Sequence, residues 1–459
     1  MHRKPIVTRK KQYINTTHKN LTKQHKQHKQ HKDNTTNTTN TTNTYIISEC
    51  YNAKYNYLPT LQLRKHLKTY NLKEYTKIQE LDSKQIKLTN LSKNCLKQEL
   101  LTKTAQFPKF IRNQHFNFIW LNPITNVTDR RFNGIQANLI NTINRNHIHN
   151  IKDKGQLYLH MHTYCPDIAN KHLARTFYIN ERNQYKFTKE AIIEKSHSTS
   201  YPHYILRPVN SFAGRDIFYI STEQELNKAI AFYNSHRNYK GVVYAKNVIA
   251  SEYIINPILF KGYKFHLRMY YLISYIGNIF NSFFLETGDI LTAEQPYTTA
   301  KPFTKAVHDT HQTSSSDDYF FPQDLIKDNP DIDINKLLIQ MRTIMGCISN
   351  IIDKHDKHDK HDKHDKHDKH DKHQTSQWLY PEHKNGFLIM GIDFMIDSKD
   401  NTVILLETNS SPGFGYNKPA NDIIFSKIMF DWINKVVLEP YYTNKPDLAR
   451  QHATYIDNV

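Results

Sequence analysis

The chain has 459 residues and a formal net charge of +19, and 38% of its residues are hydrophobic. That length allows a large core and several domains. Residues 1–45 hold ten Lys and Arg against one Asp and consist of two tracts, HKNLTKQHKQHKQHK and NTTNTTNTTNT, with almost nothing to bury. We expect a disordered basic tail. The basic repeats contain no aromatic residues that would stack on bases, so a solvated tail is favoured and nucleic acid is not expected as a partner.

The sequence shows no membrane or secretion signal. The most apolar segment, Met269–Phe284, is broken by Ser, Gly and Asn, and is predicted to form two strands joined by a turn. The first residues lack the apolar stretch of a signal peptide. The four cysteines are scattered without a CxxC pair, so neither a zinc site nor a disulfide framework is indicated. We therefore expect a cytoplasmic protein in a reducing compartment that does not contact a membrane.

The N-terminal third is predicted to contain two regions after the tail. Residues 46–105 are polar and Lys-rich with weak helical periodicity, which predicts a loosely attached helical region. Residues 106–200 are predicted to form a first lobe. In that lobe the patterns favour a buried strand at HFNFIWLNP, a helix at IQANLINTINRNHIHN, and a helix or strand at GQLYLHMHTYC.

Residues 201–440 are predicted to form the core, followed by a C-terminal tail at 441–459. The core begins with a strand, a loop and a strand over Tyr201–Thr222, and continues with the helix EQELNKAIAFYNSH, capped by Ser221 or Thr222. Strands are predicted at VVYAKNVIASEYI and KFHLRMYYLISY, and a helix at 331–352. An Asp-Lys-His triplet then runs seven times over 353–373. A solvated insertion, with i,i+4 ion pairs if helical, is favoured over a metal-binding tract.

Beyond the repeat, GFLIMGIDFMI and TVILLET are apolar and β-prone, and DSKDN between them has turn chemistry. With a five-residue loop at Ser398–Thr402, Asp393 lies opposite Glu407, and Asn409 shares the face of Glu407. Facing carboxylates in a core repel unless a cation joins them. Oxygen ligands of this kind suit Mg²⁺. The alternative, two edge-strand acids that point into solvent, stays open.

Three further stretches carry polar groups suited to an anionic ligand. YILRPVNSFAGRDIF places a small-residue loop between two strands, where backbone N–H groups can hold phosphate near Arg207 and Arg215. SEYIINP combines an acid with apolar residues and could hold a flat heterocycle. In KGYKFHLRMYYL, the alternation puts Lys264, His266 and Arg268 on one strand face, which indicates an anion site or an exposed polar face.

The motifs RPVNSFAGRDIF, EYIINPIL, KFHLRMYYL, GIDFMID and LLETNSSPG, in that order, resemble the tubulin–tyrosine ligase-like family of ATP-grasp enzymes. The resemblance covers roughly Phe116–Pro440. It implies an α+β ATP-grasp fold with two lobes that close on Mg-ATP. It also implies ligation of a free amino acid to a protein acceptor with an acidic tail, such as tubulin.

The resemblance implies roles for individual positions. Asp393, Glu407 and Asn409 match magnesium ligands. Arg268 matches a catalytic arginine that meets the amino-acid substrate, and Lys427 more loosely matches a second basic position for that substrate. The implied ATP contacts are Lys154, Arg207, Gly214, Arg215, Glu252, Tyr253, Ile254, Lys264, His266, Thr310 and His311.

The chain departs from the family pattern at four of these motif positions. Arg207 replaces a lysine, and the exchange is not conservative at a tight phosphate site. Asp216 replaces a loop glycine, His266 an aspartate, and His311 an asparagine. Because the metal set is complete, an active ligase is favoured over a degenerate nucleotide-binding module, and a ligase for an acceptor other than tubulin is a further alternative.

Overall fold

The computed structural model describes residues 43–47, 61–74, 115–120, 136–141, 143, 151–179, 203–209, 216–235, 248–277, 279–310, 319–362, 385–410, 412 and 421–456. Residues 1–42 of the predicted tail, the phosphate-loop residues Gly214 and Arg215, the predicted ATP contact His311, and the repeat beyond Asp362 lie outside these residues. The predicted tail at 1–45 is corrected at its end, because Thr44 and Tyr45 belong to the strand Thr44–Ile47 and Tyr45 is fully buried.

Fourteen strands are described, and they form two sheets. In chain order they are β1 (Thr44–Ile47), β2 (Lys73–Glu74), β3 (His115–Trp120), β4 (Gln136–Ile140), β5 (Thr176–Ile179), β6 (Tyr204–Pro208), β7 (Phe218–Ile220), β8 (Val248–Glu252), β9 (Leu259–Phe260), β10 (Tyr263–Ile276), β11 (Ile279–Thr292), β12 (Tyr319–Phe321), β13 (Gly386–Asp397) and β14 (Thr402–Asn409).

The described α-helices are α1 (Leu61–Thr69), α2 (Lys154–Tyr164), α3 (Pro166–His172), α4 (Glu223–Ser235), α5 (Lys305–His308), α6 (Gln323–Asp328), α7 (Ile334–Asp362), α8 (Asn421–Ile433), α9 (Glu439–Tyr442) and α10 (Asp447–Arg450). A π-helical turn, Asn434–Leu438, joins α8 to α9. Among the described residues, no helix combines the length and apolar character needed to cross a membrane.

The large sheet has the order β12-β11-β10-β13-β4-β3-β1-β2, with β14 also on β13 and β9 also on β10. The small sheet has the order β5-β8-β6-β7. The fold is of the predicted α+β class, with helices packed on a ten-stranded and a four-stranded sheet. The strand pairs β10–β11 and β13–β14 are antiparallel hairpins, as the sequence predicted.

Apolar layers cover both faces of the large sheet. On one face, α2, α3 and α7 pack against odd-numbered β10 residues such as Phe265 and Leu267. On the other face, α1 and α8 pack against Tyr270 and Leu272. Lys264, His266 and Arg268 continue this second face toward the start of β10. A polar site thus extends directly from a core layer. A third cluster joins α4 to the small sheet.

Helix α4 confirms its predicted start. Thr222 Oγ1 accepts a hydrogen bond from Glu225 N at 3.2 Å, and Glu225 Oε2 accepts from Thr222 N at 3.1 Å and from Ser221 N at 2.7 Å. These reciprocal bonds satisfy backbone donors at the helix start. The predicted helix at 331–352 is also confirmed, as part of α7.

Two predictions for the N-terminal third are corrected. Gln136–Ile140, predicted as part of a helix, is β4, because pairing with β3 and burial of Leu139 and Ile140 override weak helical periodicity. The helix α1 is not loosely attached. Leu63 and Leu67 are fully buried, and His66 Nε2 lies 2.7 Å from Asp431 Oδ1 on α8.

The predicted C-terminal tail is partly corrected as well. Ala449 and Ile456 are buried. Phe284 N donates to Thr454 O at 2.8 Å, and Ile456 N donates to Ser282 O at 2.9 Å. The segment therefore extends the core beyond residue 440.

A disulfide bond joins Cys165 and Cys347, contrary to the expectation from the sequence. Cys165 lies between α2 and α3, Cys347 lies in α7, and their Cα atoms are 6.2 Å apart, within the range that a disulfide spans. The two residues are 182 positions apart. Only the packing of α7 on α2 and α3 brings them together, which spacing in the sequence does not reveal.

Candidate active site

The β13–β14 hairpin brings the three predicted metal ligands together. Pairing starts at Asp397–Thr402, which leaves a four-residue loop and not the predicted five. A β-bulge between Asp393 and Phe394 then shifts the register by one, so Asp393 lies opposite Glu407. The predicted loop length was wrong, but the predicted pairing is confirmed, because the bulge supplies the residue that the loop lacks.

The carboxylate cluster, which we define as Asp393, Glu407 and Asn409, lies inside the molecule. Asp393 is 1% exposed and the Glu407 side chain 13%. Asn409 Nδ2 donates to Glu407 Oε1 at 3.1 Å and to Asp393 Oδ2 at 3.4 Å. The alternative of two solvent-facing acids is thereby excluded. A single amide bridges the two carboxylates.

Arg268 compensates the charge of Asp393. The two residues pair across β10 and β13, and the guanidinium meets the carboxylate through Nε to Oδ1 and through Nη2 to Oδ2, the latter at 2.9 Å. Burial alone would lower the pKa of Arg268, but Asp393 outweighs burial and the pKa is raised. Arg268, expected to meet the amino-acid substrate, is bound to Asp393 in this structure.

Gly391 makes room for that arginine. A Cβ built at Gly391 would lie 2.9 Å from Arg268 Cδ and 3.0 Å from Pro412 Cβ. Because Gly391 pairs with Asn409 across the hairpin, the glycine sits beneath the carboxylate cluster. Its lack of a side chain allows the arginine to reach Asp393.

Two cations meet Glu407 from different elements. Lys154 Nζ, from the first turn of α2, lies 3.2 Å from Glu407 Oε2. Arg207 Nη1, from β6 of the small sheet, lies 3.4 Å from the same oxygen, and its Nη2 donates to Leu406 O at 3.0 Å. Burial lowers the pKa of Arg207, and Glu407 and Asp393 partly oppose this shift. Among the described residues, Arg207 Nε has no hydrogen-bond partner, so the guanidinium retains a donor for an anionic ligand.

A cleft lies between the small sheet and the large one, and both sheets contribute to its lining. Its polar lining comprises Lys154, Thr176, Arg207, Ser251, Glu252, Lys264, His308, Asp309 and Thr310. Its apolar lining includes Tyr158, Leu173, Ile205, Tyr219, Ile249, Tyr253, Ile254, Met395 and Leu405. The predicted ATP contacts Glu252, Tyr253, Ile254, Lys264 and Thr310 therefore share one cavity with Lys154 and Arg207.

One part of the cleft is aromatic. Tyr219, Tyr253 and His308 line it, and the ring of Tyr297 lies 5.9 Å from that of His308; we call these four residues the aromatic end. Lys264, which is 4% exposed, places Nζ 3.9 Å from the centre of the Tyr253 ring. Burial lowers the pKa of Lys264 to about 7, and Asp309 offsets only part of that effect.

His308 is the functional candidate that the sequence did not reveal. Its Nδ1 lies 2.7 Å from Tyr253 Oη, and its ring is 5.1 Å from that of Tyr219. Burial, with a smaller effect from Lys264, lowers the pKa of His308 to about 4. Its Nε2 has no hydrogen-bond partner among the described residues. The only signal in the sequence was its position two residues before Thr310.

His266 lies between Thr310, which lines the cleft, and Asp393 of the carboxylate cluster. Its Nδ1 lies 2.5 Å from Thr310 Oγ1. Its Nε2 lies 3.8 Å from Asp393 Oδ2. The predicted face with Lys264, His266 and Arg268 is confirmed, and its alternative as a solvent-exposed face is excluded by the burial of Lys264 and His266.

Two other predicted positions have different outcomes. Lys427 is exposed on α8 and is not among the residues that line the cleft. Its predicted contact with the amino-acid substrate stays a prediction. Asp216, where a glycine was expected, has φ of +57°, and its carbonyl accepts a hydrogen bond from Tyr233 Oη at 2.6 Å. The left-handed conformation explains why glycine suits this position. Aspartate is one of the residues that tolerate it best.

The donor set at the carboxylate cluster suits a hard divalent ion. Within the described part of the chain, no group of three or more His, Cys, Asp and Glu side chains is already arranged to hold a metal. Two carboxylates and an amide nevertheless converge, and Asn409 presents an oxygen as well as a nitrogen. Mg²⁺ takes few protein ligands and completes its shell with water and phosphate. The residues present therefore fit this ion.

Comparisons with known proteins found one family profile and similar solved structures. The profile of the tubulin-tyrosine ligase family matches residues 133–445, which is more than half of the chain. No curated protein matches the sequence significantly. One similar solved structure is the C-terminal domain from K. lactis Pby1, described as an ATP-grasp enzyme interacting with the mRNA decapping enzyme Dcp2. It is 18% identical with a TM-score of 0.49, and the match covers 91% of this chain and 99% of that chain.

Proposed function

Because the chain belongs to the tubulin–tyrosine ligase family, we propose that it is an ATP-dependent carboxylate–amine ligase that joins a free amino acid to a protein acceptor. Membership supports a ligase-type fold that uses ATP. The acceptor we propose is a protein with an acidic tail, such as tubulin.

One observation carries the proposal. The carboxylate cluster lies behind the cleft, and three cations from three different elements converge on its two acids. Such an arrangement places positive charge where the phosphates of a nucleotide would lie, and oxygen ligands where a divalent ion would lie. A purely structural ion pair would not require cations from both sheets and a helix.

The proposed reaction has two steps. An acceptor carboxylate attacks the γ-phosphoryl group of ATP, which gives an acyl phosphate and ADP. The amine of the free amino acid then attacks the acyl carbon, inorganic phosphate leaves, and an amide bond remains. No protein nucleophile is needed, so the chain contributes positioning and charge.

The residues of the chain divide this work. Lys154 and Arg207 offer fixed positive charge to the phosphates from opposite walls of the cleft. Tyr253 and Ile254 offer apolar surface to a base. Arg268 holds Asp393 in place and lies where it can pair with a substrate carboxylate or the acyl phosphate.

Mg²⁺, held by Asp393, Glu407 and Asn409, would neutralise charge on the transferring phosphoryl group. The departure at Arg207 is compatible with this proposal, because the longer, forked side chain reaches both Leu406 and Glu407.

We further propose that the protein is cytoplasmic, where it would encounter an acceptor such as tubulin. The disulfide bond between Cys165 and Cys347 argues against this location, because a reducing compartment keeps cysteines as thiols. Mass spectrometry of the cysteine pair, alkylated directly in cell extracts, tests this placement. Complete oxidation in every extract would contradict it.

The test of the activity is mass spectrometry of tubulin and lysate proteins after incubation with the chain, Mg-ATP and labelled Glu, Gly or Tyr. We expect the label on an acidic tail. Glu407→Gln keeps the shape and removes the charge, and should lower turnover by about 100-fold or more. The matched control is Glu223→Gln on the exposed start of α4, whose turnover should equal that of the parent chain. Undiminished turnover by Glu407→Gln would refute the metal role.

A second candidate function is a module that binds nucleotide without ligation. It is favoured by Asp216, whose negative charge directly follows the phosphate-loop residues Gly214 and Arg215 in the chain. Titration calorimetry with Mg-ATP, combined with an ADP-release assay across amino acids, separates the two functions. Binding without ADP release would support the module.

A further inference from the structure

His266 is a buried histidine that lies among polar groups of the candidate active site. It is 1% exposed, it belongs to the same β10 face as Arg268, and it lies between Thr310 and Asp393. The resemblance of the sequence to its family led us to expect an aspartate here. The substitution replaces an oxygen donor with an imidazole next to the carboxylate cluster.

The distance between His266 and Asp393 is informative. At 3.8 Å, Nε2 and Oδ2 are too far apart for a hydrogen bond. Two atoms that bind one ion through bonds of about 2.1 Å lie about 3.0 Å apart at right angles and about 4.2 Å apart when opposite. The observed separation matches neither arrangement, but it is only about 0.4 Å short of the opposite one. A shift of that size would bring both atoms onto one ion.

The hydrogen bond on the far side of the ring orients it. When Nδ1 carries the proton and donates it to Thr310 Oγ1, 2.5 Å away, Nε2 presents its lone pair toward Asp393. Metal-binding histidines are usually held in this way through their second nitrogen. Thr310 thus acts as a positioning residue for the imidazole.

We propose that His266 is a ligand of the divalent ion at the carboxylate cluster, and that this mixed nitrogen and oxygen site prefers Mn²⁺ to Mg²⁺. The inference rests on the proposed function, because that function places the ion at Asp393. Imidazole favours first-row transition ions, whereas Mg²⁺ prefers oxygen ligands and retains its water. Asp393, Glu407 and Asn409 supply oxygen donors. At Asp393 Oδ2 the ion takes the place of Asn409 Nδ2, while Arg268 Nη2 keeps its hydrogen bond to that oxygen.

The experiment is electron spin-echo envelope modulation on substoichiometric Mn²⁺ bound to the full chain with a non-hydrolysable ATP analogue. We expect ¹⁴N modulation from a coordinated imidazole. His266→Asp should remove it, and should lower the ratio of Mn²⁺ to Mg²⁺ affinity, measured by calorimetry, by about tenfold. His66→Asn, a histidine on α1 paired with Asp431, is the matched control and should change neither quantity. All three proteins contain the same histidine tracts, so their difference isolates position 266.

The possible outcomes separate this inference from the proposed function. If Mn²⁺ binds with the nucleotide analogue but its modulation is the same in His266→Asp, the imidazole role is refuted and the ligase proposal stands. If neither ion binds in the parent chain, both fail. If circular dichroism shows that His266→Asp does not fold, the comparison is made between the parent chain and His266→Asn, both labelled with ¹⁵N-histidine. A ¹⁵N signal on Mn²⁺ that the parent shows and His266→Asn lacks supports His266 as a ligand. The same signal in both proteins overturns the proposal.

Discussion

The carboxylate cluster behind the cleft and the aromatic end of the cleft each bury a cation, and they affect its charge in opposite ways. At the carboxylate cluster, Arg268 is paired with Asp393, and its pKa is raised in spite of burial. At the aromatic end, Lys264 lies against Tyr253, and its pKa falls to about 7 because Asp309 offsets little of the desolvation. Burial alone therefore does not determine whether a cation keeps its proton. The interaction with the nearest carboxylate determines whether the pKa is raised or lowered.

This contrast teaches how the cleft divides its tasks. The carboxylate cluster is built from paired charges, in which three cations meet two acids. The aromatic end is built from rings and weakly compensated cations, where a flat, uncharged group packs well. The carboxylate cluster suits phosphates and an ion, and the aromatic end suits a base.

The largest effect is expected from breaking the ion pair between Arg268 and Asp393. Arg268→Met leaves Asp393 buried without its partner, which should lower the free energy of unfolding by about 3–5 kcal/mol. Adding Asp393→Asn should recover part of the loss, because the orphaned charge is removed. Urea unfolding of the parent, both single variants and the double variant measures the coupling. Lys327→Met, which breaks an exposed pair with Asp324, should cost no more than about 0.5 kcal/mol. An equal cost for both pairs would contradict the contrast.

The next largest effect is the pH dependence of folding stability that His308, in the aromatic end, should cause. Folded His308 takes up a proton only near its pKa of about 4, whereas an unfolded histidine does so near 6.5. Between these values the unfolded state binds more protons, so stability should fall as the pH drops from about 6.5 to 4. The contribution from His308 is at most about 3 kcal/mol.

His308→Gln should remove this part of the pH dependence, as measured by urea unfolding at pH 7 and pH 4.5. Lys264→Met should reduce it more modestly, because the positive charge of Lys264 is the smaller cause of the shift. If the parent and His308→Gln lose stability in parallel, the buried imidazole is not neutral in the folded protein.

A smaller effect on stability is expected from adding a side chain at Gly391, next to Arg268. Gly391→Ala would place a methyl group against Arg268 Cδ and Pro412 Cβ, and should cost about 1–3 kcal/mol of folding free energy. The cost should shrink in an Arg268→Ala background, because one of the two contacts disappears. Thermal unfolding of the four proteins tests this. Equal costs in both backgrounds would show that Arg268 does not need the space.

The sequence predicted the site where the pattern is local. Alternation along β10 identified Lys264, His266 and Arg268 as one face, and the β13–β14 hairpin correctly paired Asp393 with Glu407. Both follow from the two-residue period of a strand. The loop was wrong by one residue, because a bulge at a buried acid cannot be inferred from composition.

The contacts that the sequence did not predict join distant segments. Arg268 meets Asp393 across 125 positions, and Tyr253 meets His308 across 55. Choosing such partners requires the order of strands in the sheets, which no local pattern encodes. The same reason explains β4, whose strand pairing overrode a helical pattern, and residues 441–456, whose burial depends on the hairpin β10–β11.

The bond between Cys165 and Cys347 encloses the whole small sheet, since β5 through β8 lie between the two cysteines in the chain. A protease that cuts once anywhere in that interval would yield two fragments still tied covalently. They would migrate as one band until a reductant parted them. The wall of the cleft that carries Arg207 is thus retained after a nick that would otherwise release it.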